Sequence, residues 1–435
     1  MERSGMSTRG TPLTYGIGML GLTFPGQAFG LYLWYFYTDF LGLAAALLAL
    51  ARAVYSVWDA FNDPFFAYWS DRTKSRLGRR RPWLMAGLPL YMLMLVVVFS
   101  PPEAVRESGL LFYYFLVGIL LFETAAAMTW TNYSALFPEL FRSPDARARA
   151  SAVKQAFQVV GLLLAVVLVP LLKDQLGFTG MAVVCAAVGV LLVSFTIAST
   201  REDPQAQAPE PLGLVEAFRI TLSNRPFWVF AAAGSLISLV LGLLQAGIPF
   251  YVKYALGLPD SQASLLLGPV FILSLPLVAV WARVALWRGI KPAWILAITL
   301  FASASLLFAL PLNLYGAIAI GCLLAVGYSG VSVLGEIVLA EIIDRDADAT
   351  QRRREAIYYS VYGFITRISG VLLGLCFALL GPLFGYYSGA NPGTQAGEAF
   401  RFFMGVIPFV ALTLAALVAR QFPWEVKGAT DLRRT

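Results

Sequence analysis

Asp59 and Asp63 stand four residues apart in Trp58-Asp59-Ala60-Phe61-Asn62-Asp63-Pro64, inside an apolar stretch long enough to cross a bilayer. An ionised carboxylate at the centre of a membrane is costly unless something compensates it, so such a pair marks an ion or proton site. Asp59, Asn62 and Asp63 fall at i, i+3 and i+4, which projects all three side chains from one face within a single helical turn. Asp59 lies near the midpoint of its run, too deep to snorkel to water. Two carboxylates and an amide oxygen suit Na⁺, with Asp59 and Asp63 as the metal-binding acids; alternatively, mutual repulsion and desolvation let one carboxyl carry a proton. Helix capping, or an internal ion pair with Arg52 or Arg367, is the purely structural alternative. The pair implies coupled transport.

The elements that must position these acids follow from composition. With 59% hydrophobic and 13% charged residues over 435 positions, the chain lies far outside soluble averages and reads as an all-α membrane protein. Apolar runs of roughly 20 residues or more can be drawn at 13–38, 44–70, 83–100, 110–137, 151–172, 179–199, 227–254, 262–284, 293–311, 316–340, 356–381 and 400–420, which predicts twelve transmembrane helices. Alternate loops, on the side shared by both termini, hold most of the 32 Lys and Arg. The expectation is a multi-pass protein of the cytoplasmic (inner) membrane with both termini cytoplasmic. The net charge of +7 then reflects orientation rather than nucleic-acid binding. The amino terminus lacks a small-residue cleavage site after a brief apolar core, so the first helix is expected to be retained.

Residue usage removes whole classes of chemistry. There is no histidine, which excludes the common zinc sites and His-based triads. Cys185, Cys322 and Cys376 all fall in apolar runs and read as small packing residues. No Walker-type loop is present. Gly16-Ile17-Gly18-Met19-Leu20-Gly21 matches the dinucleotide pattern but lies inside an apolar helix, where close helix packing through small residues is the better account. No cofactor and no enzymatic activity are expected.

The chain divides once. Residues 200–226 hold a polar, proline-rich linker, Asp203 to Pro211, followed by an amphipathic stretch from Leu212 to Leu222 expected to lie along the membrane surface. A six-helix half at 1–199 and another at 227–435 is the plan of the major facilitator fold, whose substrate site lies near the midplane between the halves. The loop from Asp71 to Trp83 puts an acid at a helix end, then a basic turn, then Pro82-Trp83 at the next helix entrance. Asp71, Arg72, Gly78 and Arg79 are its expected gating residues, in a segment that also fixes orientation.

These residues resemble the glycoside-pentoside-hexuronide cation symporters, the melibiose permease-like family of the major facilitator superfamily. The resemblance rests on Tyr15-Gly16, Tyr37-Thr38-Asp39, Asp59 to Pro64 followed by the basic loop, Pro138-Glu139-Leu140, Asn224-Arg225-Pro226-Phe227, and the charged segment from Ala340 to Tyr358. It implies that Asp59, Asn62 and Asp63 bind the coupling cation. The family's cation-site threonine is matched by Ala126, so one side-chain oxygen is missing; Glu123, three residues earlier on the same face, can supply a carboxylate or serve as a helix-to-helix hydrogen-bonding group. Thr124 points elsewhere, at about 100° per residue. The two acids that hold sugar hydroxyls in the family are matched by Thr23 and Thr129, so galactoside specificity does not carry over.

Lys154, Arg367 and Tyr133 match a basic residue, a lysine and a sugar-stacking aromatic residue of the family. They suit an anion and a pyranose face respectively, although Lys154 and Arg367 can equally neutralise the aspartate pair. Gln27, Asn132, Gln155 and Gln158 can complete a polar cavity or bridge helices. The run Tyr32, Trp34, Tyr35, Phe36, Tyr37 reads as an interfacial aromatic belt. The expectation is a monomeric, cation-coupled (Na⁺ or H⁺) symporter working by alternating access. Its partners are membrane lipid and a small solute, anionic or polyhydroxylated: a sugar, glycoside or sugar acid. The alternative is a symporter of lysophospholipid or another amphipathic anion, with a channel or an intramembrane enzyme behind it.

Overall fold

In the computed structural model the described residues are 10–141, 144–202, 224–259, 262–350, 355–389 and 391–423, and their regular elements are all helical. The long helices are α1 (Pro12–Tyr35), α2 (Ala45–Arg72), α3 (Arg81–Val98), α4 (Leu111–Leu140), α5 (Pro144–Ser199), α6 (Arg225–Phe250), α7 (Ala263–Arg288), α8 (Ile290–Leu306), α9 (Leu314–Thr350), α10 (Glu355–Thr366), α11 (Ile368–Ala378) and α12 (Ile407–Arg420). The linker at 203–223, with its amphipathic stretch, lies outside the described residues. So do the side chains of Asp63 and Asp71, although α2 runs through both positions.

Among the described residues nine helices are long and apolar enough to cross a membrane. One of them, Arg149–Ser199, is broken at Gly177, whose φ of 70° and ψ of −179° end one helical segment and start another. α1 and α2 are not among the nine. Their Gly, Thr and charged residues dilute the apolar signal that α3 through α9 carry.

The chain forms two compact units, Met1–Leu43 with Ala53–Glu210, and Ala44–Arg52 with Pro211–Thr435. Lipid offers helices no hydrophobic drive to associate, so close approach through small residues does that work. In unit 1 the two segments of α5 clasp α1. A Cβ on Gly16 would come 2.7 Å from the Phe157 ring, one on Gly18 would come 2.6 Å from Thr196 Oγ1, and one on Gly21 would come 2.8 Å from Leu192 Cβ. The glycine pattern in α1 is therefore a packing face. In unit 2 Gly330 plays the same part, with Trp281 of α7 and Ala297 of α8 lying 2.5 and 2.6 Å from where its Cβ would stand. Trp281 also donates to the Val326 carbonyl at 2.7 Å.

α1 starts on a reciprocal cap: Thr11 Oγ1 accepts from Thr14 N at 3.2 Å, Thr14 Oγ1 accepts from Thr11 N at 3.0 Å, and Pro12 takes the first helical position. Its far end repeats in unit 2. Phe36–Phe40 and Tyr251–Ala255 are both π-helical turns, closed by Leu41 N to Phe36 O at 3.0 Å and by Leu256 N to Tyr251 O at 3.1 Å. Each is followed by a glycine in the left-handed region, Gly42 at φ 74° and Gly257 at φ 68°. Leu41-Gly42-Leu43 and Leu256-Gly257-Leu258 are the sequence trace of two related halves.

The aromatic run of α1 is not a lipid-facing belt. Tyr32, Trp34, Tyr35, Phe36 and Tyr37 are all buried by protein. Phe36 packs at 4.6 Å on Phe178, Tyr37 at 4.3 Å on Phe115, and the Tyr37 hydroxyl donates to the Val98 carbonyl at 2.7 Å. Helices α3, α4 and α5 thus supply the partners of this run, which begins in α1 and ends in the π-turn.

Candidate functional site

Asp59 and Asn62 are 8% and 5% exposed on α2, deeply enclosed for an acid and an amide three residues apart. Among the described residues the Asn62 Nδ2 group has no hydrogen-bond partner, which leaves the amide ready to turn toward a ligand. One residue earlier, Trp58 Nε1 donates to Thr124 Oγ1 of α4 at 2.8 Å, and Thr124 in turn donates to the Leu120 carbonyl at 2.6 Å. Thr124 thus anchors α2 to α4 and points away from the Glu123 face, as its angular offset predicts.

Ala126 is buried and supplies no oxygen. Glu123 is half-buried and lies close enough to Tyr91 of α3 for its charge to act on the phenol, whose ring packs 5.0 Å from Phe122 of α4. Trp130 is seven residues beyond Glu123, hence on the same stripe of α4. Among the described residues no three Asp, Glu, Cys or His side chains gather as a metal cluster.

The residues matched to sugar ligands are engaged otherwise. Thr23 donates to the Met19 carbonyl at 2.8 Å, and Thr129 to the Ala125 carbonyl at 2.8 Å, both within their own helices. Thr23 faces Gly161 of α5 and Thr129 faces Gly87 of α3, where missing Cβ atoms leave room for them. Tyr133 does not offer a free ring. It stacks on Tyr15 at 4.5 Å, accepts no solute on that face, and the two tyrosines exchange hydroxyl-to-carbonyl hydrogen bonds across α1 and α4. The sequence places an aromatic residue at position 133 but does not show that Tyr15 occupies its face.

Asn132 is fully enclosed and donates to the Met128 carbonyl at 2.8 Å. Lys154 holds its ammonium 5.7 Å from the centre of the Phe137 ring. Gln27 and Gln158 are half-buried on α1 and α5, and Gln155 is exposed. In unit 2 Arg367 sits at the junction of α10 and α11, where Gly370 N returns to the Arg367 carbonyl at 3.0 Å. Asn224 donates to the Tyr358 hydroxyl at 2.8 Å, joining two of the quoted motifs.

The basic loop is organised by a residue the sequence did not single out. Glu202, just beyond α5, accepts backbone N–H bonds from Arg79 at 2.6 Å, Arg80 at 3.0 Å and Arg81 at 2.7 Å, and so caps α3. Gly78 makes this possible: its φ is 104°, and a Cβ there would lie 2.5 Å from the Glu202 carboxyl carbon. Arg79 pairs with Glu139 of α4 at 3.0 Å, Arg80 lies 3.6 Å from the same oxygen and also donates to Ser70, and Trp83 donates to Thr73 at 2.8 Å. Burial and the neighbouring Glu202 charge push the Glu139 carboxyl above its ordinary pKa, against the pull of Arg79 and Arg80. Arg72 is exposed at the end of α2.

Membrane-length helices in two related units, with enclosed acid and amide groups on one of them and a capped basic loop at a helix end, define a solute transporter. The chain belongs to the MFS/sugar transport protein family, whose model matches residues 14–425. Among its relatives are an Escherichia coli K12 protein provisionally named glycoside/cation symporter YagG (24% identical, covering 83% of this chain and 79% of the relative), and another from the same organism provisionally named a 2,3-dihydroxypropane-1-sulfonate exporter (25%, 94% and 90%). The mouse sodium-dependent lysophosphatidylcholine symporter 1 is 22% identical over 94% of this chain and 85% of its own length. The solved structure of the nucleoside transporter NupG superposes with a TM-score of 0.71, at 14% identity, over 95% of this chain and 99% of that one. The fold is therefore the major facilitator fold, and the protein is a multi-pass membrane transporter, not an enzyme.

Proposed function

We propose that the protein is a cation-coupled secondary symporter working by alternating access, with Asp59, Asn62 and Asp63 carrying the coupling ion. The observation that carries this reading is the enclosure of Asp59 and Asn62 on one face of α2. A charged group there is tolerated when a cation or proton compensates it. Ala126 offers no oxygen, which favours H⁺ over Na⁺, with Glu123 as an additional carboxylate. Two of the relatives are named as symporters, one coupled to a cation and one to sodium.

The solute is an anionic or polyhydroxylated small molecule: a sugar, glycoside or sugar acid. Lys154 and Arg367 supply positive charge, while threonines stand where the family's sugar-binding acids would be. A relative named for a hydroxylated sulfonate fits that balance. The second reading, lysophospholipid or another amphipathic anion, is favoured by the burial of Thr23 and Thr129 in helix contacts, which withdraws the polar groups a sugar would use. The protein works as a monomer in the cytoplasmic membrane, with both termini in the cytoplasm and the Asp71 to Arg79 loop gating that side. The test is uptake into vesicles under an imposed pH or Na⁺ gradient, using glucose, glucuronate, 2,3-dihydroxypropane-1-sulfonate and lysophosphatidylcholine. Concentrative uptake of one of them that collapses with the gradient and disappears in Asp59→Asn is the expected result; uptake that is insensitive to both gradients refutes coupling.

A further inference from the structure

α9 exposes two opposite faces. Leu323, 55% exposed, stands nine residues before Ser332, and at about 100° per residue nine positions carry the chain two and a half turns, to the far side of the helix. Ser332 and Glu336, at i and i+4, are both exposed on that far side. A transmembrane helix that shows leucine on one face and serine with glutamate on the other has lipid on the first and water on the second. The Glu336 carboxylate is built into a polar wall. Tyr359 of α10 donates to its Oε2 at 3.0 Å, and Tyr362, nearly one turn further along α10, lies within its electrostatic reach. Among the described residues Oε1 of Glu336 takes no hydrogen bond.

We propose that Glu336 and Tyr359 form a solute-binding subsite in unit 2 that recognises hydroxyl groups of a polyhydroxylated solute. The carboxylate oxygen left over by Tyr359 accepts from a solute hydroxyl, and the Tyr359 oxygen, whose proton is given to Glu336, adds an acceptor beside it. An ionised acceptor prefers O–H donors and repels the charged end of an acid, so the subsite binds the polyol part of a sugar acid. This rests on the transporter reading and deepens it, because it divides the solute into a hydroxylated part held by Glu336 and an anionic part held elsewhere.

The experiment uses the full chain in membrane vesicles, with Cys185, Cys322 and Cys376 replaced by alanine and a single cysteine returned as Ser332→Cys, Glu336→Cys or Leu323→Cys. A charged thiosulfonate reagent is expected to label Ser332→Cys and Glu336→Cys at least about tenfold faster than Leu323→Cys, since the reagent stays in water. With Glu336 intact, glucose, xylose, glucuronate or glycerate is expected to slow labelling of Ser332→Cys, and propionate, which has no hydroxyl, is not. Glu336→Gln in that background should weaken the protection by about 10- to 100-fold, the worth of one hydrogen bond to a charged acceptor. Labelling no faster than Leu323→Cys overturns the subsite, as does protection by none of the four solutes, or equal protection by propionate. None of these outcomes depends on ion coupling: a gradient-independent transporter that still labels and is still protected loses the symporter reading alone.

Discussion

Replacing Glu202 by alanine strips the acceptor from three backbone N–H groups at once, those of Arg79, Arg80 and Arg81 at 2.6, 3.0 and 2.7 Å. They belong to the loop and first turn of α3, where no preceding carbonyl can receive them. A helix cap is worth about 0.5–2 kcal/mol and a hydrogen bond to a charged acceptor about 1.5–3 kcal/mol, so with partial exposure Glu202→Ala loses about 2–4 kcal/mol and Glu202→Gln, which keeps an oxygen but no charge, about 1 kcal/mol. At about 2–4 °C per kcal/mol for a unit of ~200 residues, the alanine variant unfolds roughly 5–15 °C lower. The assay is thermal unfolding of the purified full chain followed by tryptophan fluorescence, with trypsin cleavage at the exposed Lys74 and Arg76 as an independent report on the loop. Glu139 adds a pH signature. Its carboxyl is raised above the ordinary value, partly by Glu202, so the folded state holds that proton longer than the unfolded chain does. Stability from this group is therefore present below the ordinary carboxylate pKa and lost as pH rises to the raised one. Removing the Glu202 charge narrows that window. An alanine variant with the parent's midpoint, cleavage rate and pH slope would refute the capping argument.

Asp59→Asn is expected to abolish concentrative uptake while leaving the protein folded in the membrane, checked by gradient-driven uptake beside a thermal midpoint. Ala126→Thr adds an oxygen beside the proposed ion site and should raise Na⁺ dependence of transport at fixed pH; an unchanged Na⁺ response counts against a cation site at that level of α4. Gly87→Ala puts a Cβ 2.9 Å from Thr129 Oγ1 and should cost about 1–3 kcal/mol by overpacking, part of which Thr129→Ala in the same chain restores. Arg367→Gln should remove much of any preference for an anionic sugar over its neutral analogue, measured as the ratio of their affinities in parent and variant; a parent that binds the two equally contradicts the anionic reading.

Period and composition made the membrane fold legible, because apolar runs are long and the bilayer leaves helices little alternative. Asp59 stands out for the same reason, a carboxylate against an apolar background, and the structure encloses it. Contacts across distant sequence were not legible. Glu202 reads as one more charge at a loop, since nothing local announces that it reaches back more than a hundred residues to the N–H groups beside Gly78. Tyr133 and Thr129 show the same limit from the other side: a matched position conveys residue type but not its neighbours, and only the structure shows Tyr15 stacked on one face of Tyr133 and Gly87 beside Thr129. The aromatic run of α1 reads as a lipid belt because its residue types suit an interface, and nothing local announces the helices that pack around it.

The repeated turn after α1 and α6 shows how one backbone plan came to carry different chemistry. Gly42 and Gly257 hold the same left-handed conformation, and the leucines on either side of each return to equivalent carbonyls, Leu41 and Leu43 to Phe36 and Tyr37, Leu256 and Leu258 to Tyr251 and Val252. The residues on that shared scaffold have diverged in charge: Thr38-Asp39 in unit 1, both buried, stand where unit 2 has Lys253-Tyr254, with the Lys253 ammonium 4.9 Å over the Tyr254 ring. The membrane interior follows this pattern. Unit 1 places Asp59, Asn62 and Glu123 on helices pinned by Trp58 and Tyr91; unit 2 places Glu336 among tyrosines and Arg367 at a helix junction. Because the backbone needs no charged side chain to form these helices, each charge that remains in them is a candidate for contact with an ion or a solute, and the two units carry different sets of them.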